Sequence, residues 1–406
     1  MVSKTYCSQP FKEIAIKNFS GNQLQTFWPC CMMGNKLHPQ EDSNRLEIVD
    51  AHLLTPQEMY DHPRMQQLRD NLSNDIRDPA CAVCWHQEDR GLQSYRQFTT
   101  PLDGEAGLTT IDLTASNICN LRCRMCSPSA SHQLMIYHQY FKKHDLSDSV
   151  NRVIGRWAVS SPLETTESKQ WDWLMENTQQ ITTLKASGGE PFYDNKVIQL
   201  LHRYVETGAA ANTRLLFHTN ATQFTDEIVE LLNQFKLNKH SFSIDGVNKV
   251  YNYIRYPGTF DDLQTSLLNY IHNVKNYDPI MNFTVVLTAH NVLNVDDILT
   301  WAKAISPNIS VHFQEVYPFS RGTSINNLSK ELLDKARNQA LKHLVRNNGH
   351  EDNEVANLVK QISNAIQVGE PNSSLIREEC ELFDLSRNQS YEDFLHPELV
   401  EWLNEK

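Results

Sequence analysis

From about residue 108 to residue 317 the chain alternates short strand-like runs with amphipathic stretches, and this limits the fold more than any other feature. Strand patterns fall at 108–115, 181–187, 214–219, 240–245, 282–288 and 309–316. Between them, 196–206, 226–235, 261–277 and 295–305 place apolar residues three and four apart, the spacing of one helix face. Strands alternating with helices build parallel βαβ units. The expectation is an α/β fold: a partial (β/α)6 barrel of the TIM type over 106–325, preceded by a small cysteine-rich module (1–105) and followed by a helical extension (326–406). The extension reads as helices over 328–346, 354–366 and 391–404, around a polar linker at Gly369-Glu370-Pro371-Asn372. In barrels of this kind chemistry sits at the carboxy-terminal strand ends. The distinctive residues of this chain follow its strands.

After the first strand comes Cys119-Asn120-Leu121-Arg122-Cys123-Arg124-Met125-Cys126. Three thiolates hold three of the four irons of a cubane [4Fe–4S] cluster and leave the fourth open to a small molecule. A structural zinc site is the competing reading of the loop. Zinc, however, takes four ligands from paired knuckles, and the next histidine, His132, lies six residues beyond Cys126. The second strand runs into Gly188-Gly189-Glu190-Pro191, where paired glycines let backbone approach a ligand and Glu190 can accept from an ammonium group. Ser243 and Asp245 share one face of the fourth strand and can present a hydroxyl and a carboxylate together. Thr219, Asn220, Thr288, Asn291 and Gln314 are further polar groups at strand ends. Arg122 and Arg124, beside the cysteines, read as solvated or ion-paired.

Composition removes other classes. A formal net charge of −12 without a long basic run argues against nucleic acid. No apolar run is long enough to span a membrane and no signal-peptide core follows the first residues, so the expectation is a reducing cytoplasm with free thiols.

The C-x3-C-x2-C loop, together with Gly-Gly-Glu-Pro one strand later, resembles the radical S-adenosylmethionine (SAM) enzymes. The resemblance implies a cluster on Cys119, Cys123 and Cys126 whose open iron is chelated by SAM. The amino group of SAM would lie on Gly188–Pro191 and its ribose near Ser243 and Asp245. Reductive cleavage would yield a 5′-deoxyadenosyl radical that abstracts hydrogen from substrate. Ser243-Ile244-Asp245-Gly246, then Tyr253-Ile254-Arg255 and Gly258-Thr259-Phe260, resembles the peptide-modifying and sulfatase-maturing branch, with Arg255 as a carboxylate-binding residue. Met125 stands where most members carry an aromatic residue, and it can fill the same space against adenine.

Ahead of the barrel, Cys7, Cys30, Cys31, Cys81 and Cys84 resemble a SPASM/twitch auxiliary-cluster module, here amino-terminal rather than in its usual carboxy-terminal place. Four of them would close a second [4Fe–4S] cluster, with either Cys30 or Cys31 as ligand; zinc on four thiolates is the alternative. The ninth cysteine, Cys380, reads as an inert structural thiol whose acidic neighbours raise its pKa. The implied partners are SAM, a peptide or small-molecule substrate, and an electron donor such as flavodoxin or ferredoxin. A sugar or nucleotide is the alternative substrate, and a non-catalytic Fe–S or zinc protein the alternative class.

Overall fold

The six strand patterns become parallel strands, each within two or three residues of its expected bounds, in a computed structural model that describes residues 3–17, 26–30, 53–89, 94–98, 107–141, 143, 169–316, 322–344, 346–347, 350–351 and 353–405. The chain divides into two compact units: residues 1–116, 162–217 and 234–238, and residues 117–161, 218–233 and 239–406.

In the first unit β1 (Glu13–Lys17) pairs antiparallel with β2 (Thr26–Trp28) and parallel with β3 (Thr110–Thr114). The sheet continues in parallel through β4 (Thr183–Ala186), the start of β5 (Arg214–Thr219) and β6 (Leu237–Asn238). Ile111, Leu184 and Leu215 stand in register, as do Leu113, Ala186 and Phe217, and all six are buried. The helix Asn195–Glu206 buries Val197, Leu200, Leu201 and Tyr204; it starts because Asp194 caps it, accepting from the Lys196 N–H at 2.9 Å. The cysteine-rich segment thus contributes a strand beside β3, which its Ile14-Ala15-Ile16 run signals without fixing the partner.

In the second unit the last residues of β5, His218 and Thr219, pair with β7 (Ser241–Ser243), which leads in parallel to β8 (Asn282–Leu287) and β9 (Ser310–Glu315). Phe242, Phe283, Phe224 and Tyr270 meet edge-on or tilted, and Trp301 of the helix Val295–Ile305 stacks on Phe283 at 5.4 Å. Phe224, Phe242, Tyr270 and Phe283 are fully or nearly buried and form the core there, with Trp301 partly buried against them.

The extension departs from expectation twice. A helix, Ser373–Arg387, occupies a stretch in which the sequence singled out only Cys380. The expected 391–404 helix is two pieces, Tyr391–Phe394 and Pro397–Asn404, because Pro397 holds His396 in an extended conformation and lacks an N–H to continue a helix.

Candidate functional site

The cysteine loop is built by its own hydrogen bonds. Asn117 Nδ2 donates to the Pro128 carbonyl at 2.9 Å, and the Asn117 carbonyl accepts from the His132 N–H at 2.8 Å. His132 Nδ1 accepts from the Cys119 N–H at 3.3 Å, so that nitrogen of the first histidine after the loop is used on backbone. The Arg122 and Arg124 N–H groups donate to the carbonyls of Tyr256 and Ile254, at 2.6 and 3.0 Å. The residue between those two carbonyls is Arg255.

Cys119 and Cys123 are buried, and Cys126 is half-buried. Leu121 packs with Cys119 and Cys123, and Met125 and Cys126 lie against the same group. Cys126 donates to Cys123 and holds the Cys123 thiol below its ordinary value, helped against burial by the charges of Arg255 and Arg387. The donor Cys126 is pushed up in turn. Asn220 Nδ2 lies 4.0 Å from the Cys119 sulfur and donates to Asn120 Oδ1 at 2.8 Å; Asn120 then donates to Thr222 Oγ1 at 2.8 Å. Thr222 and Asn120 line a groove of about 670 Å³ with Phe224, Asp262 and Ser266.

Asp245 and Arg255 are spent on each other. Arg255 binds the Asp245 carboxylate through Nε, at 2.7 Å, and through Nη2. The second carboxylate oxygen accepts from the Val286 N–H at 2.6 Å. Both side chains are buried, and Asp245 sits at φ +59° with its carbonyl accepting from Asn291 Nδ2. In this geometry neither stands open to a ligand as the sequence reading had it. Thr288 Oγ1 is buried without a hydrogen-bond partner. Ser243 is partly exposed, and Gln314 lies on an exposed stretch of β9.

In the first unit, Gly188 and Gly189 take φ values of +80° and +51°. A Cβ on Gly188 would lie 2.4 Å from Thr114 Cγ2. Glu190 is buried, and its carboxylate accepts from the Phe192 N–H at 3.1 Å while its carbonyl accepts from Tyr193 and Asp194. Pro191 is buried beside it. Gly188→Ala is expected to cost about 1–3 kcal/mol, through a left-handed backbone and the Thr114 contact. The check is a fall in the urea midpoint at unchanged m-value.

Cys7, Cys30, Cys81 and Cys84 line one small pocket with Tyr95 and Arg96. Burial, then the neighbouring thiols of Cys7 and Cys84, push the Cys81 thiol far up. Arg96 grips Glu88 through two nitrogens, donates to the Tyr6 carbonyl at 2.8 Å and covers the Trp85 ring at 4.8 Å. That ties the Cys7 segment to the helix carrying Cys84. Cys31 lies outside the described residues.

Sequence reasoning missed the partners that hold the loop from the carboxy-terminal side. Asp384 binds Arg124, accepts from Tyr253 Oη at 3.2 Å and caps the Tyr391 N–H at 2.6 Å. Arg387 Nη2 donates to the Arg122 carbonyl at 2.5 Å, with its guanidinium against the Tyr137, Tyr256 and Phe383 rings. Cys380 touches His290 Nε2 at 3.4 Å; burial, more than its acidic neighbours, pushes its thiol to about 12. Burial and then Arg124 hold His290 near 3, hence neutral. The legible signal was Ile376, Cys380, Phe383 and Arg387, spaced four, three and four apart on one helix face.

Among the described residues no three Cys, His, Asp or Glu side chains stand in closed metal-ligand geometry, so both sets are groupings of thiols rather than formed cages. The donor chemistry fits a cluster. The loop from Ser116 to Pro128 offers three thiols and no carboxylate. Around it Arg122 Nε, Arg124 Nη1 and both Nε and Nη1 of Arg387 are buried donors without an acceptor. Each such donor costs about 1–3 kcal/mol, which a nearby anionic group relieves.

The Radical SAM superfamily model matches residues 113–303. Among solved structures, native anSMEcpe with bound AdoMet is 15% identical, with a TM-score of 0.37 over 57% of this chain and 59% of that one. Streptococcus suis SuiB bound to precursor peptide SuiA is 14% identical, with a TM-score of 0.36 over 68% of this chain and 62% of that one. The chain therefore spans less than two thirds of either protein's length. No curated protein matches it.

Proposed function

We propose, on the premise that residues 113–303 are a radical SAM domain, that this chain cleaves SAM reductively and uses the resulting radical to abstract hydrogen from a substrate. The observation that carries the reading is the grouping of Cys119, Cys123 and Cys126 on one braced loop whose surroundings are cationic. The site's own residues do the positioning. Ile254 and Tyr256 pin the loop backbone, Arg255 and Arg387 favour the Cys123 thiolate, and Asn220 stands beside Cys119. When bound, a [4Fe–4S] cluster there supplies one electron to the SAM sulfonium. Gly188–Pro191 hold the amino group of SAM; Ser243, Thr288 and Gln314 are its polar contacts, with Asp245 and Arg255 shaping the site as a pair.

Cys7, Cys30, Cys81 and Cys84 hold a second, fully ligated cluster, a reading supported by their shared pocket. The substrate is a peptide side chain, the electron donor a flavodoxin or ferredoxin, and the compartment the cytoplasm. No helix among the described residues is long and apolar enough to cross a membrane.

Anaerobic reconstitution of the full chain, with dithionite and SAM, tests both halves. About eight irons per chain and formation of 5′-deoxyadenosine are expected. Stoichiometric iron and sulfide without 5′-deoxyadenosine would end the enzymatic reading. About four irons together with zinc would reassign the amino-terminal cysteines. Cys84→Ala is expected to lose about four irons while some uncoupled SAM cleavage persists; complete loss of cleavage would overturn the division of roles.

A further inference from the structure

The helix Ser373–Arg387 lies some 250 residues downstream of the cysteine loop and outside the matched domain, yet it holds the loop more closely than padding requires. Cys126 packs against the cluster of Leu134, Tyr137, Phe141, Leu382 and Phe383. Arg124, within the loop, is 2% exposed, pairs with Asp384 and lies with its guanidinium carbon 3.5 Å from the Tyr253 ring centroid. Arg387, 6% exposed, holds the Arg122 carbonyl. The buried group Arg124, Asp384 and Arg387 thus carries one net positive charge, and its guanidinium donors are not all satisfied by protein.

A buried charge next to a redox centre acts through a low effective dielectric and is little screened by salt. Adding an electron makes an Fe–S cluster more negative, so a fixed cation nearby favours the reduced state and a fixed anion opposes it. Net charge and hydrogen bonds to the sulfurs are the levers by which a protein sets a cluster's potential. We infer that the carboxy-terminal helix belongs to the cluster site: Arg387 and Asp384 are positioning residues whose opposite charges set how readily the cluster on Cys119, Cys123 and Cys126 accepts an electron. The inference rests on the radical SAM reading above and adds to it a control on reduction supplied from outside the barrel domain. Burial brings the Arg387 guanidinium down to about 10, so it keeps its charge at neutral pH.

The test is an EPR-monitored redox titration of the reconstituted full chain, following the signal that changes when SAM is added. Arg387→Gln is expected to lower the reduced-to-oxidised ratio at fixed potential about tenfold, which is about 59 mV more negative for a one-electron couple. Asp384→Asn is expected to move the potential the opposite way. Arg387→Lys restores the wild-type value, and Lys342→Gln, whose side chain is 65% exposed, leaves it unchanged. A helix that only braces the loop would change iron content or thermal stability in both variants without opposite shifts. Unchanged potentials at full iron content in Arg387→Gln and Asp384→Asn would overturn this inference alone. Should Arg387→Gln fail to take up iron, Asp384→Asn decides, and a shift to more negative potential there overturns the inference. If the wild-type chain shows no SAM-responsive cluster, the radical SAM reading falls and this inference with it.

Discussion

Cys123→Ser is expected to abolish formation of 5′-deoxyadenosine and to remove about four of about eight irons, leaving the amino-terminal set filled. Cys123 is 4% exposed and is the thiol of the loop whose ionisation its surroundings favour, through Cys126, Arg255 and Arg387. A serine hydroxyl stays protonated where a thiol ionises, so the substitution keeps the shape and removes the ligand. Cys380→Ser is the matched control. That thiol is also buried, but it faces His290 and is pushed to about 12, so iron content and SAM cleavage should persist. Iron and sulfide assays beside product chromatography read both variants. Retained cleavage in Cys123→Ser, or loss of iron in Cys380→Ser, would show that the loop is not the SAM-cleaving centre.

The second large effect is on stability. Asp245→Ala leaves the Arg255 guanidinium buried beside the loop without its counter-charge, and it removes the acceptor of the Val286 N–H. Breaking a buried pair by deleting one partner costs about 3–5 kcal/mol. Urea denaturation should show that loss as a lower midpoint. Replacing the pair together, as Asp245→Leu with Arg255→Met, should recover much of it, because the desolvation cost of both ions disappears with them. A single-variant loss below about 1 kcal/mol would mean that the pair is hydrated and not the brace described here.

Much of this was legible in the sequence, for identifiable reasons. Strand-like runs alternating with helical segments marked the strands and helices, and the apolar spacing of three and four in the helices follows from burial on one face. The cysteine loop and Gly188-Gly189 stood out because metal ligation and positive φ restrict residue choice so strongly. The pairing of Asp245 with Arg255 was not legible: ten residues apart, each reads as a ligand group until the chain is seen to turn between them. The helix Ser373–Arg387 escaped because its apolar positions are diluted by Arg377, Glu378, Glu379, Glu381 and Asp384, and two of the polar residues it buries face other polar groups rather than water. A polar residue that is buried because of a distant partner, as Arg387 is, extends the helix face without reading as apolar.

The contact between Arg124 and Asp384 joins residues 260 positions apart. A ribosome has therefore released most of this chain before the three-cysteine loop can reach its final shape. Until Asp384, Arg387 and Gln389 emerge, Arg124 lacks its two side-chain acceptors and the Arg122 carbonyl lacks its guanidinium donor. The last structural contacts of this loop are in consequence made by the finished polypeptide, not by the nascent one.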